Sequence, residues 1–154
     1  MATLYFDSSG LVRRYVNERG SAWVQALTEP TAGHVCVIAQ ITGAEMIAAV
    51  MRRLRRGDTT LADAETAFSN IESDFSDDYF LLETSLARIR EAMDLAKVYG
   101  LRGYDSVQLA TALFLHTQCR VLGQPDPILI TSDVELAAAA TAEGLIVDDP
   151  NAHP

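Results

Sequence analysis

Short apolar runs alternate with helix-length segments along the whole chain, and few folds accommodate that rhythm. Residues 3–6, 34–38, 80–82, 128–131 and 145–147 are apolar runs, with almost no polar residue interleaved. A strand with one wet face alternates polar and apolar side chains, whereas a continuous apolar run is buried on both faces. Helical patterning falls between the runs. Ser9 caps a helix to about Asn17, Gly20-Ser21 caps one over 22–27, and Thr42 opens one that breaks at Gly57-Asp58. Further helices are expected over 60–70, from Ser85 to Tyr99, over 105–119, and from Asp133 to Glu143 before Gly144, with an acidic loop at 74–78. Strands alternating with helices predict a three-layer α/β/α domain around a central, mostly parallel sheet. No repeat, linker or low-complexity tract divides the 154 residues, so one domain over 1–154 is expected.

Several chemistries are absent. The glycines form no phosphate-binding loop, Ser8 and Ser9 lie in no GxSxG element, and His34, His116 and His153 lack zinc-type spacing. Asp7-Ser8-Ser9 has no second aspartate two residues on, as a phosphoaspartate-forming phosphatase would. Cys36 and Cys119 each lie in apolar text and read as buried free thiols. The opening residues carry neither a basic flank nor a cleavage site, and no window has the ~18 apolar residues that span a bilayer. A cytoplasmic protein without membrane partners is expected.

What remains is carboxylate chemistry. In open α/β sheets, ligands bind beyond the carboxyl ends of the strands. Asp7 directly follows the run 3–6, and Asp133 follows 128–131 by one residue. If both strands are parallel and central, the two side chains leave the sheet along one edge. Asp105 opens a helix that is apolar around almost its whole circumference, hence buried, so its carboxylate is drawn inward and needs a partner or a cation. A helix N-cap accounts for Asp105 and Asp133 equally well. For Glu45, Thr42-x-x-Glu45 fits a capping box, which alone would explain it. On a helical wheel Ile47, Val50, Met51 and Leu54 form the core face and Glu45 points away, with Arg52 and Arg56 near its direction.

The net charge of −9 opposes approach to a polyanion. Two features offset it: a bound cation inverts the local field, and 11 of the 12 basic residues are arginines, clustered at 13–14 and 52–56. Arg13, Arg52 and Arg56 are candidate phosphate contacts; a solvated charged face explains each of them as well.

Four stretches together resemble one family. Leu4-Tyr5-Phe6-Asp7-Ser8-Ser9-Gly10-Leu11-Val12-Arg13-Arg14-Tyr15 is similar to the opening of PIN-domain proteins of the VapC toxin type. Ile41-Thr42-Gly43-Ala44-Glu45, then Tyr104-Asp105-Ser106-Val107-Gln108-Leu109-Ala110-Thr111-Ala112, then Thr131-Ser132-Asp133-Val134-Glu135-Leu136 with Gly144-Leu145, resemble the family's later acidic motifs, in order. The resemblance implies a PIN fold, a Mg²⁺- or Mn²⁺-dependent endoribonuclease, a homodimer, and an antitoxin that wraps the protein and blocks its site. It implies that Asp7, Asp105 and Asp133 ligate metal, that Glu45 does so directly or through water, and that Ser8 or Ser132 assists. An all-oxygen donor set suits such hard cations. Gly10 stands where Ala or a larger residue is common, and Ser106 replaces a frequent Ala, which would add a hydrogen bond near Asp105. The other readings are a PIN-like module that binds RNA or protein without turnover, and a nuclease acting on DNA.

Overall fold

A computed structural model describes all 154 residues. Five strands, β1 (Thr3–Phe6), β2 (Val35–Ala39), β3 (Phe80–Leu82), β4 (Ile128–Ile130) and β5 (Ile146–Asp148), form one sheet in the order 3-2-1-4-5, and every pairing is parallel. The helices are α1 (Ser8–Leu11), α2 (Ser21–Thr28), α3 (Gln40–Arg56), α4 (Leu61–Asp77), α5 (Leu86–Tyr99), α6 (Gly103–Val121) and α7 (Val134–Ala142).

Strand pleating splits the apolar side chains between two cores. Leu4, Phe6, Cys36, Ile38 and Ile130 point to one face, where they pack with Leu11, Val24, Met46, Val50, Ala67 and Ile71 of α1 to α4. Tyr5, Val37, Ala39 and Leu129 point to the other, against Leu109, Ala112, Leu115, Leu136 and Ala140 of α6 and α7. The continuous apolar runs of the strands are thereby explained: each has two faces to bury. β1 lies centrally, with chain order reversing on either side of it, so β1 and β4 flank the topological switch point.

The expected strands are present, within a residue or two of their expected limits. Several helix expectations are corrected. The segment expected as one helix from Ser9 is the four-residue α1, capped by Asp7 rather than Ser9, followed by a 3-10 turn, Val12–Arg14. The acidic stretch 74–78 is mostly helix: α4 continues to Asp77 because Ala64, Ala67 and Ile71 extend a buried stripe and Asp74 pairs with Arg14. On α3 the buried positions are Thr42, Met46 and Val50, while Met51, expected in the core, is exposed. Both cysteines are buried and free. No helix is long and apolar enough to cross a membrane.

Candidate metal-binding cleft

Beyond the carboxyl ends of β1 and β4 lies a cleft whose lining includes Asp7, Ser8, Glu45, Arg52, Arg102, Tyr104, Asp105 and Asp133. Four separate elements thus deliver four carboxylates to one place. Of the other expected site residues, Arg56 is exposed at the last turn of α3 outside the lining, and Ser132 is also outside it.

Asp7 is the most constrained of the four. It is only 3% exposed, at the junction of β1 and α1. Its Oδ1 accepts from the Gly10 backbone N–H at 2.9 Å, and Ser9 Oγ lies 2.9 and 2.8 Å from the two carboxylate oxygens. Burial strips water from the ionised form and pushes the Asp7 pKa up to about 7, although the Gly10, Ser9 and Thr131 hydrogen bonds act the other way. Helix α1 approaches very closely here. A Cβ on Gly10 would stand 2.3 Å from the Ile130 carbonyl oxygen, which accounts for glycine at this position.

Ser9 is a hub that sequence reasoning overlooked. Besides Asp7, its hydroxyl lies 3.2 Å from Thr131 Oγ1 and accepts from the Ser132 backbone N–H at 3.0 Å. It therefore ties the end of β1 to the end of β4. Ser132 contributes mainly that backbone donor; its own hydroxyl makes a long contact, 3.4 Å, to the Ser9 carbonyl.

The capping-box reading of Glu45 is overturned. Helix α3 begins at Gln40, its N-cap is Ala39, and Thr42 is wholly buried in its first turn. Glu45 instead receives Ser8 Oγ at 3.1 Å and Gln108 Nε2 at 2.6 Å. Gln108, 1% exposed on α6, also donates to Thr42 Oγ1 and accepts from Tyr5 O–H. A buried relay thus fixes one Glu45 oxygen, while partial burial raises the pKa of its carboxyl.

The third and fourth carboxylates differ in origin. Asp133 is indeed the N-cap of α7, its Oδ1 accepting from the Leu136 N–H at 2.8 Å. Asp105 is no cap: α6 starts at Gly103, two residues earlier than expected, and Arg102 is the N-cap residue. The Arg102 guanidinium bridges the pair, 3.1 Å from Asp105 Oδ2 and 3.3 Å from Asp133 Oδ2. Partial burial and then the charge of Asp133 raise the Asp105 pKa, with Arg102 opposing. Ser106 is buried and donates to the Arg102 carbonyl at 3.0 Å, not to Asp105.

Arg13 is removed from the phosphate-contact set. It is 7% exposed, and its guanidinium donates to the carbonyls of Ser9 and Arg19 and pairs with Glu18. Its work is to brace the chain behind α1. Arg52 does line the cleft.

The residues fit a hard divalent cation in chemistry: every acidic donor is oxygen, and Asp7 is a dehydrated carboxyl whose ionised form a cation would stabilise. As they stand, no three acidic groups form a ready-made ligand cluster, and an arginine occupies the space between two of them. Closing on an ion therefore requires side-chain adjustment.

No family model matches the chain. Two curated proteins are similar over their whole length and the whole of this chain: Ribonuclease VapC45 of Mycobacterium tuberculosis strain CDC 1551 / Oshkosh and Ribonuclease VapC49 of strain ATCC 25618 / H37Rv, each 27% identical. Among solved structures, PAE2754 from Pyrobaculum aerophilum superposes with a TM-score of 0.61 at 22% identity, covering 95% of this chain and 89% of that one. FitAcB from Neisseria gonorrhoeae gives 0.60 at 16% identity, covering 96% and 97%. VapBC2 from Rickettsia felis, solved with a DNA fragment from its promoter, gives 0.55 at 12%, covering 95% and 98%. Likeness of sequence and likeness of fold agree with the order of the acidic motifs: the chain is similar over its full length to two VapC ribonucleases and shares the α/β fold of PAE2754, FitAcB and VapBC2.

Proposed function

We propose that this protein is an endoribonuclease that hydrolyses RNA phosphodiester bonds with Mg²⁺ or Mn²⁺, and that it is the toxin of a toxin–antitoxin pair. The observation that carries the reading is the meeting of Asp7, Glu45, Asp105 and Asp133 from four elements in one cleft, at the sheet's switch point. The full-length likeness to two proteins named ribonucleases supports RNA as the substrate.

Asp7, Asp105 and Asp133 would hold the ion, with Glu45 as a direct or water-mediated ligand. When bound, such an ion lowers the pKa of water and neutralises charge that builds on the phosphate during in-line displacement. The chain's own residues set up the rest. Ser9 and the Gly10 N–H fix the Asp7 carboxylate, and the Gln108 relay fixes one face of Glu45. Burial of Asp7 behind Ile130 and Thr131 keeps bulk water from its oxygens. Arg52 lines the cleft and would receive a phosphate there.

An antitoxin partner is consistent with the VapBC and FitAcB structures among the fold's neighbours. A homodimer is supported by the apolar stripe Leu86, Ile89 and Met93, left exposed on α5 after the edge strand β3. The protein would act in the cytoplasm.

The test is cleavage of RNA and DNA in parallel, with Mn²⁺, by the wild type and by Asp7→Asn at matched purity. RNA cleavage lost in Asp7→Asn is expected; undiminished cleavage by that variant sinks the assignment. The acidic surface supports a second reading, a module that binds without turnover, and Mn²⁺ binding with no RNA cleavage by the wild type favours it.

A further inference from the structure

Arg102 is the only basic side chain paired with the cleft's carboxylates. Its backbone is held, since its carbonyl accepts from both the Ser106 N–H and the Ser106 hydroxyl. Its side chain is the opposite, 77% exposed while reaching across from α6 to α7. The atoms it takes matter. Asp133 Oδ1 is already committed to the Leu136 N–H, so Oδ2 is the oxygen that Asp133 offers the cleft, and Arg102 holds it. On Asp105 it likewise holds Oδ2. A divalent ion taking the same two oxygens would stand against the guanidinium, and like charges at that range repel. An exposed ion pair contributes little and breaks readily.

We propose that Arg102 is a built-in counter-ion that competes with the divalent metal for Asp105 and Asp133, so that metal binding expels its side chain to the mouth of the cleft. This rests on the metal-site reading above. The consequence is a threshold: the cleft fills only when the metal concentration suffices to displace the arginine. The expelled guanidinium, still anchored at the head of α6, then faces an arriving anion instead of a carboxylate.

The experiment is Mn²⁺ binding to the full chain, followed through the electron paramagnetic resonance of free Mn²⁺, for the wild type, Arg102→Gln and Arg52→Gln. Arg102→Gln is expected to bind roughly five- to tenfold more tightly. Arg52→Gln, which removes an equal charge from the same cleft without breaking an ion pair, is expected to change affinity less than about twofold. In the wild type, the Arg102 Nε–H resonance, assigned through its bonded connectivity to the Arg102 backbone, should shift as diamagnetic Mg²⁺ is added; this second readout stands even if Arg102→Gln folds poorly. Equal tightening by both variants overturns the proposal, since bulk charge would then explain it. Unchanged or weaker binding by Arg102→Gln, or an Arg102 resonance indifferent to Mg²⁺, overturns it while leaving the metal site intact. Absence of Mn²⁺ binding by all three proteins overturns it together with the metal reading.

Discussion

On the β1 side of the cleft, Asp7 is buried and held by Ser9 and the Gly10 N–H, against a backbone contact too tight for any side chain at residue 10. On the α6–α7 side, Asp105 and Asp133 retain solvent access and are joined by one exposed arginine. The first wall is pre-organised and dehydrated; its carboxylate cannot move, and it is uncomfortable when ionised. The second is adjustable, with one of its two negative charges offset by Arg102. A cation site needs both: one fixed, poorly solvated anion to make binding worthwhile, and ligands free to close around the ion.

The comparison breaks most visibly at Asp7. Asp7→Asn should lower RNA cleavage by roughly a thousandfold, about 4 kcal/mol of transition-state stabilisation, as measured by kcat/KM on a fluorogenic RNA. It should also abolish the thermal stabilisation given by Mn²⁺. Asp105→Asn, on the adjustable wall, should retain a weakened Mn²⁺ response. If the two variants behave alike, the walls do not differ.

Gly10→Ala tests the tightness of the first wall directly. Alanine is the better helix former by about 1 kcal/mol, yet its Cβ would meet the Ile130 carbonyl at 2.3 Å. Overpacking should dominate, with a net loss of about 2–3 kcal/mol in urea unfolding. Gly43→Ala meets only the Phe75 ring, a side chain able to turn aside, and should cost less. A Gly10→Ala protein as stable as the wild type would mean that β4 yields easily.

The acid side of the pH scale sharpens the contrast without any mutation. Asp7 binds its proton more tightly folded, with a pKa of about 7, than unfolded, near 3.8. Its contribution to stability is therefore fully present below about pH 4 and is lost as pH rises through about 7. Glu45 and Asp105, also raised, act in the same direction. Metal-free protein should lose about 3 kcal/mol between pH 5 and pH 8 from Asp7 alone. Asp7→Asn should flatten that slope and be more stable than the wild type at pH 8. A metal-free stability that rises across this range contradicts the assigned burial.

The two walls were also unequally legible in the sequence. Asp7 and Asp133 were accessible because a carboxylate at the end of an apolar run marks the edge of a parallel sheet. Asp105 was accessible through the apolar girth of its helix. Glu45 is ambiguous in the sequence, where the family resemblance places it in the site but Thr42-x-x-Glu45 also satisfies a local capping pattern, whereas its partners Ser8 and Gln108 lie 37 and 63 residues away. Ser9 and Arg102 were missed for the same reason: Ser9 meets Thr131 across 122 residues and Arg102 meets Asp133 across 31. Local chemistry writes caps and strand ends into a sequence. Which hydroxyl or guanidinium reaches a given carboxylate is decided when segments meet, and only the fold records it.

The smallest expected effect separates two arginines that looked alike in the sequence. Arg13 belongs to the closed wall, its guanidinium spent on the Ser9 and Arg19 carbonyls, whereas Arg52 stands on the open cleft. In an Asp7→Asn background, which keeps the substrate whole, Arg52→Gln should weaken RNA binding by about 1 kcal/mol and reduce the salt dependence by about one phosphate contact. Arg56→Gln, outside the cleft lining, should do less. Arg13→Gln should leave the salt slope untouched and instead lower the melting temperature, because carbonyls it satisfies would lose their donor. A salt slope that falls for Arg13→Gln and not for Arg52→Gln would reverse the placement of RNA on this face. The strand would then have to pass behind α1, where the structure has packed the chain shut.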